Sequence, residues 1–109
     1  MIYTIDNPKS VKDAFNFRGV KTFTGVVKDK ENTIAYYFNG NIHRTDGPAC
    51  EYANGNKEWF LNGEYHRTDG PAVELNNRKS WWLNGECYGK SDDFTNESWI
   101  RFVKLELLK

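Results

Sequence analysis

The chain has 109 residues, room for one domain (1–109) and one core, with little stability to spare at that size. Fifteen basic residues balance fifteen acidic ones; this argues against nucleic acid as a partner and gives no pull toward an anionic membrane. No apolar run approaches the roughly 18 residues that a membrane-crossing helix needs. Met1 to Ser10 also lacks the basic-then-apolar order of a signal peptide. Cys50 and Cys87 are too few for a disulfide framework and form no CxxC pair, so both read as free thiols in a reducing cytoplasm. Aromatic residues are abundant at 16%, with four Trp, six Tyr and seven Phe. In a chain this polar elsewhere, those rings must make the core, and any left over make a sticky surface.

In chain order, residues 1–33 read as an N-terminal helix and a first strand. Asn7-Pro8 suits a helix N-cap with proline at the first helical position. Val11, Ala14, Phe15 and Arg18 follow at helical spacing, and Gly19 closes the segment. A strand from Lys21 to Lys28 is expected to pair with residues 33–38 through Asp29-Lys30-Glu31-Asn32. Residues 49–53 and 57–61 flank an Asn-Gly turn, the strongest short-range hairpin cue. Residues 72–75 and 79–83 repeat the plan with a tighter turn. Proline opens the strand after each Asp-Gly-Pro, where a missing donor does least harm. Residues 89–109 read as a capping helix. Glu97, Arg101 and Lys104 form its polar stripe, while Trp99, Ile100, Phe102, Val103 and Leu107 fill the rest of the turn. Ser91 or Thr95 supplies the cap.

Residues 34–88 are an internal repeat. His43-Arg44-Thr45-Asp46-Gly47-Pro48-Ala49 recurs 23 residues later, unchanged, as His66-Arg67-Thr68-Asp69-Gly70-Pro71-Ala72. Tyr36-Tyr37-Phe38-Asn39-Gly40 aligns with Trp59-Phe60-Leu61-Asn62-Gly63 and with Trp81-Trp82-Leu83-Asn84-Gly85. After Gly85 the heptad decays, as a terminal repeat does. The fold class is therefore mainly β (α+β), an antiparallel sheet of tandem β-hairpin repeats between short N-terminal and C-terminal helices.

The pattern Trp-x-x-Asn-Gly-x-x-His-x-x-x-Gly, carried by Trp59 to Gly70, resembles the MORN repeat. Its His-Arg-Thr-Asp-Gly-Pro-Ala form resembles small repeat proteins of bacteriophages and large DNA viruses. The resemblance covers about half of the chain. It implies a scaffold with a protein-binding or lipid-binding surface and, through the viral forms, an inhibitor of a host or anti-phage defence protein, anti-CRISPR-like or similar, working in the host cytoplasm. The Arg-Thr-Asp inserted between histidine and glycine departs from ordinary MORN units and weakens any transfer of lipid binding.

Period-two alternation separates two faces. Tyr36, Phe38, Trp59, Leu61, Trp81 and Leu83 form a uniformly apolar face, expected to be core. The other face carries Tyr37, Phe60 and Trp82 between small or polar neighbours. That row is either a partner-binding stripe, since clustered aromatics anchor interfaces, or a second small core under a terminal helix.

The heptads gather His43, Arg44 and Asp46, then His66, Arg67 and Asp69. Such residues suit an anionic ligand or nucleotide, with arginine on phosphate and aromatics on a base. They also suit structural pairing, which repetition favours because catalytic sites are seldom duplicated. No P-loop, Rossmann glycine pattern, HExxH or GxSxG is present, so no catalytic residue, cofactor or metal is assigned. Cys50 aligns with Val73, and Cys87 with Ile42 and Tyr65, so both are expected in apolar slots. A Cys87–His66 nucleophilic pair has nothing specific behind it. Exposed edge strands offer homo-oligomerisation by strand addition. The leading expectation is a non-enzymatic protein-binding module; capture of a small anionic ligand is the alternative.

Overall fold

In a computed structural model of the chain, the structure describes residues 3–6 and 23–108. The helix expected between Asn7 and Gly19 lies outside the described residues.

Strand β1 (Tyr3–Asp6) pairs with β2 (Gly25–Lys28) in parallel, Tyr3 facing Gly25. No sequence cue pointed to β1, and its parallel pairing departs from the all-antiparallel sheet expected. β2 then pairs antiparallel with β3 (Ile34–Phe38), Val27 facing Ala35. The turn between them is closed by Asp29, whose Oδ1 accepts the N–H groups of Glu31 (2.9 Å) and Thr33 (3.0 Å). This is the hairpin expected from Lys21 onward, with β2 beginning at Gly25.

From β3 the chain lays down short, recurring hairpins. β4 (Asn41–Ile42) folds back on the end of β3. β5 (Cys50–Glu51) pairs with the start of β3 and with β6 (Lys57–Glu58). β7 (Phe60–Leu61) and β8 (Glu64–Tyr65) form a separate two-stranded sheet. β9 (Val73–Leu75), β10 (Arg78–Leu83) and β11 (Glu86–Lys90) complete the large sheet, in the order β1-β2-β3-β5-β6-β9-β10-β11. Three reversals share one device. Asn39-Gly40, Asn62-Gly63 and Asn84-Gly85 all have positive φ, between 47° and 83°. Positive φ at both central residues is what a two-residue turn matched to strand twist demands.

Helix α1 (Asn96–Leu107) follows a short 3-10 turn at Ser91–Asp93. Thr95 caps it. Thr95 Oγ1 accepts the Ser98 N–H (3.1 Å) and Ser98 Oγ accepts the Thr95 N–H (2.9 Å), a reciprocal arrangement that satisfies two orphan donors. Trp99 and Val103 are buried, but Leu107 is exposed, contrary to its assignment to the apolar side.

The core changes sides along the array, which corrects the expectation of one uniformly apolar face. At the C-terminal end Trp81 and Leu83 are buried against Trp99 and Val103 of α1. At the other end the buried cluster is Phe23, Val27, Ala35, Tyr37 and Cys50, on the opposite face of the sheet. There Phe38, the counterpart of Leu83, is 49% exposed, while Tyr37 is 8% exposed. The physical reason is coverage: α1 packs on the last unit and makes core of whichever face it meets.

Trp99 is fully buried and its Nε1–H donates to the Arg67 carbonyl at 2.8 Å. Trp99→Ala is therefore expected to cost about 3–5 kcal/mol by urea unfolding, against within ~0.5 kcal/mol for the exposed Leu107→Ala. Equal costs would contradict the packing.

Candidate functional site

The two heptads adopt one geometry. Arg44 Nε donates to Asp46 Oδ1 at 2.8 Å, its Nη1 to the Pro48 carbonyl at 3.2 Å, and its Cζ lies 4.1 Å from the Tyr36 ring centre. Arg67 does the same with Asp69 (2.8 Å), the Pro71 carbonyl (3.1 Å) and the Trp59 ring (3.8 Å). Its Nη1 also stands 3.7 Å from Glu74 Oε1. Each guanidinium is thus held at one edge by a carboxylate and a carbonyl while its face covers an aromatic ring, which a planar fork can do and an ammonium cannot. The hydrogen bond from Arg44 holds the exposed Asp46 carboxyl below its usual range.

The heptad glycine serves this packing. A Cβ at Gly70 would sit 2.6 Å from Arg67 Cζ, and one at Gly47 would sit 3.1 Å from Arg44 Cζ. In the third unit the arginine is missing, and rings from the C-terminal segment replace it: Phe94 and Trp99 each lie 5.6 Å from Trp81.

The histidines join successive units. His43 Nδ1 accepts the Asn62 N–H at 2.9 Å and His66 Nδ1 accepts the Asn84 N–H at 3.0 Å. Around them the Gly63 N–H reaches the Ile42 carbonyl, the Gly85 N–H the Tyr65 carbonyl, and the Arg44 and Arg67 N–H groups the Phe60 and Trp82 carbonyls. One earlier joint escaped the sequence reading. Asn39 N–H donates to Thr24 Oγ1 (3.0 Å) and Gly40 N–H to the Phe23 carbonyl, so Phe23-Thr24 stands where Ile42-His43 and Tyr65-His66 stand later. Threonine in place of histidine concealed it.

The heptad loops border a cleft of about 490 Å³, lined by Arg44, Asp46, Trp59, His66, Arg67 and Asp69 among others. Five of the six residues proposed for anion binding therefore converge, while His43 lies outside this cleft. The Nε and Nη1 groups of both arginines, however, are engaged by the scaffold, and each arginine charge is paired. An Nδ1 that accepts an amide proton puts the neutral imidazole's proton on Nε2, leaving neither nitrogen of His43 or His66 open to a metal while the joint holds. Among the described residues no three His, Cys, Asp or Glu side chains gather as a metal site.

The second sequence-derived site lies on the other face. Joint and strand residues alternate there as one seam. Phe23 and Tyr37 have ring centres 5.9 Å apart, Phe60 and Tyr65 stack at 4.4 Å, and Tyr65 and Trp82 lie 5.0 Å apart. Tyr37 is buried, which removes it from the expected contact stripe, and burial, helped by Cys50, pushes its phenol up to about 12. Phe60 and Trp82 are half-buried, and Tyr65 is the member that sequence reasoning missed. Beside the ridge, Glu58 accepts hydrogen bonds from Tyr52 Oη and Tyr65 Oη, both at 2.7 Å. Burial and, at Tyr65, the bond to Glu58 raise the pKa of both phenols, so they stay donors. Glu58 makes no ion pair among the described residues.

Cys50 fills the slot expected from Val73, the two sharing one row across β5, β6 and β9. Burial pushes its thiol up to about 11, unsuited to nucleophilic work at neutral pH. Cys87 corrects the expectation of an apolar slot: it is exposed, because the seam ends at β11 and no following unit covers it. Its Sγ donates to the Gly89 carbonyl, while His66 Nδ1 is taken by Asn84.

Comparison of the chain with protein families, curated proteins and solved structures finds no match in any of the three.

Arg67→Lys keeps the charge but loses the fork and the stacked plane, and is expected to cost about 1–3 kcal/mol in urea unfolding. Gly70→Ala, which displaces the same guanidinium, is expected to cost a similar amount. An unchanged midpoint in both variants would show that the arginine is not part of the scaffold.

Proposed function

We propose that the chain is a non-enzymatic, MORN-like protein-binding module whose contact surface is the Phe60–Tyr65–Trp82 ridge. The observation that carries this reading is the ridge itself: three half-buried rings in contact on a sheet face, flanked by Tyr52 and Glu58. Rigid aromatic groups with polar handles anchor protein interfaces at low entropic cost. The heptad arginines and aspartates already serve the clasps and the histidines the joints, which favours the ridge over the cleft. The likeness of the heptads to viral repeat proteins directs the proposal to a host or anti-phage defence protein as target, met in the cytoplasm. No helix among the described residues is long and apolar enough to cross a membrane.

Native mass spectrometry on tagged protein purified gently from bacterial lysate tests this. A host protein in stoichiometric complex is expected, lost in Trp82→Ala but kept in Phe38→Ala, both variants unfolding cooperatively. A complex that survives in folded Trp82→Ala removes the ridge as the contact. A bound mass of a few hundred daltons, released on denaturation, would favour the anionic-ligand reading of the cleft.

A further inference from the structure

Three backbone amides occupy equivalent places in successive reversals, and their acceptors differ in one chemical respect. Asn39 N–H donates to a hydroxyl, Thr24 Oγ1. Asn62 and Asn84 donate to imidazole nitrogens, His43 Nδ1 and His66 Nδ1. A hydroxyl accepts at any ordinary pH. An imidazole Nδ1 accepts only while it carries no proton, because the imidazolium is a donor at both nitrogens. We propose that His66 is an acid-sensitive joint: protonation sets donor against donor and uncouples the third unit from the second, while the Thr24 joint holds.

The surroundings of His66 define its response. Among the described residues, Glu64 on the same hairpin favours the cation. Across the cleft His66 faces Arg44 with Asp46 and Arg67 with Asp69, and in each loop the two charges are paired at 2.8 Å. Apart from Glu64, the charges that His66 faces are thus paired, and its Nδ1 meets a neutral backbone donor.

For His66, burial lowers the pKa below its ordinary 6.5, against the opposing pull of Glu64. The unfolded chain therefore takes up the proton first. The contribution to stability is complete above pH 6.5 and is lost as pH falls below it. The device belongs to the scaffold and is independent of what the ridge binds.

Residue-resolved amide exchange at pH 7.5 and pH 5, expressed as protection factors to remove the intrinsic pH effect, reads the three joints separately. Protection at Asn84 is expected to fall about tenfold relative to Asn39, the scale of one lost hydrogen bond. In His66→Thr, which copies the Thr24 joint, the relative fall should vanish. A fall shared equally by Asn39 and Asn84, or one that persists in His66→Thr, would overturn the proposal. Should that variant not fold, imidazole nitrogen shifts of the unaltered protein decide. Unprotonated Nδ1 at pH 7.5 with protonation in step with the loss of protection supports it, and Nδ1 protonated at pH 7.5 refutes it.

Discussion

The clasp of an arginine over the aromatic ring of its own unit is the interaction on which the rest of the structure depends. Arg67 bonds to Asp69 and the Pro71 carbonyl while its face lies over Trp59, and Arg44 repeats this over Tyr36. The clasp folds seven residues into a fixed loop. That loop, with Tyr65 just before it, then presents His66 Nδ1, the Tyr65 carbonyl and the Arg67 N–H to the next hairpin. The intra-unit clasp therefore sets the inter-unit joint. A short strand of two or three residues has little stability alone, and here the joints fasten β7 and β8 to the hairpins before and after them.

The same logic explains how the array stops. A third arginine is absent after Trp81, and the chain supplies Phe94 and Trp99 in its place. Trp99 also bonds to the Arg67 carbonyl, so α1 is fastened to the second heptad as well as to the third aromatic. On the opposite face no such cap follows among the described residues, and the seam runs out at Cys87. The aromatic ridge is thus a by-product of repetition: rings needed to stack unit on unit remain half-buried where none of the described residues packs over them. A rigid row of that kind is a low-cost contact surface.

Much of this was legible in the sequence, because repetition marks equivalent positions. The seven-residue identity located both clasps, the Asn-Gly pairs located the reversals, and Thr95 marked the start of α1. The alternation of Tyr36, Tyr37 and Phe38 defined two faces but could not say which is covered, since coverage depends on where a distant helix docks. At the last unit α1 covers the face of Leu83, whereas Tyr37 is buried among Phe23, Val27, Ala35 and Cys50 and Phe38 is exposed, the reverse of their counterparts Trp82 and Leu83. Thr24 was missed because a hydroxyl does the work of an imidazole without resembling one. Tyr65 was missed because its row comes from joints between strands, which no strand pattern displays.

The central claim is that the heptads are clasps rather than open ligand sites, and the arginine Nε–H signals in a proton–nitrogen correlation spectrum test it most directly. Of the five arginines in the chain, the account predicts that Arg44 and Arg67 show slow solvent exchange and hindered rotation about Nε–Cζ, both unmoved by added inorganic phosphate. Fast exchange at Arg44 and Arg67, or shifts that follow phosphate, would contradict it and return the heptads to ligand binding.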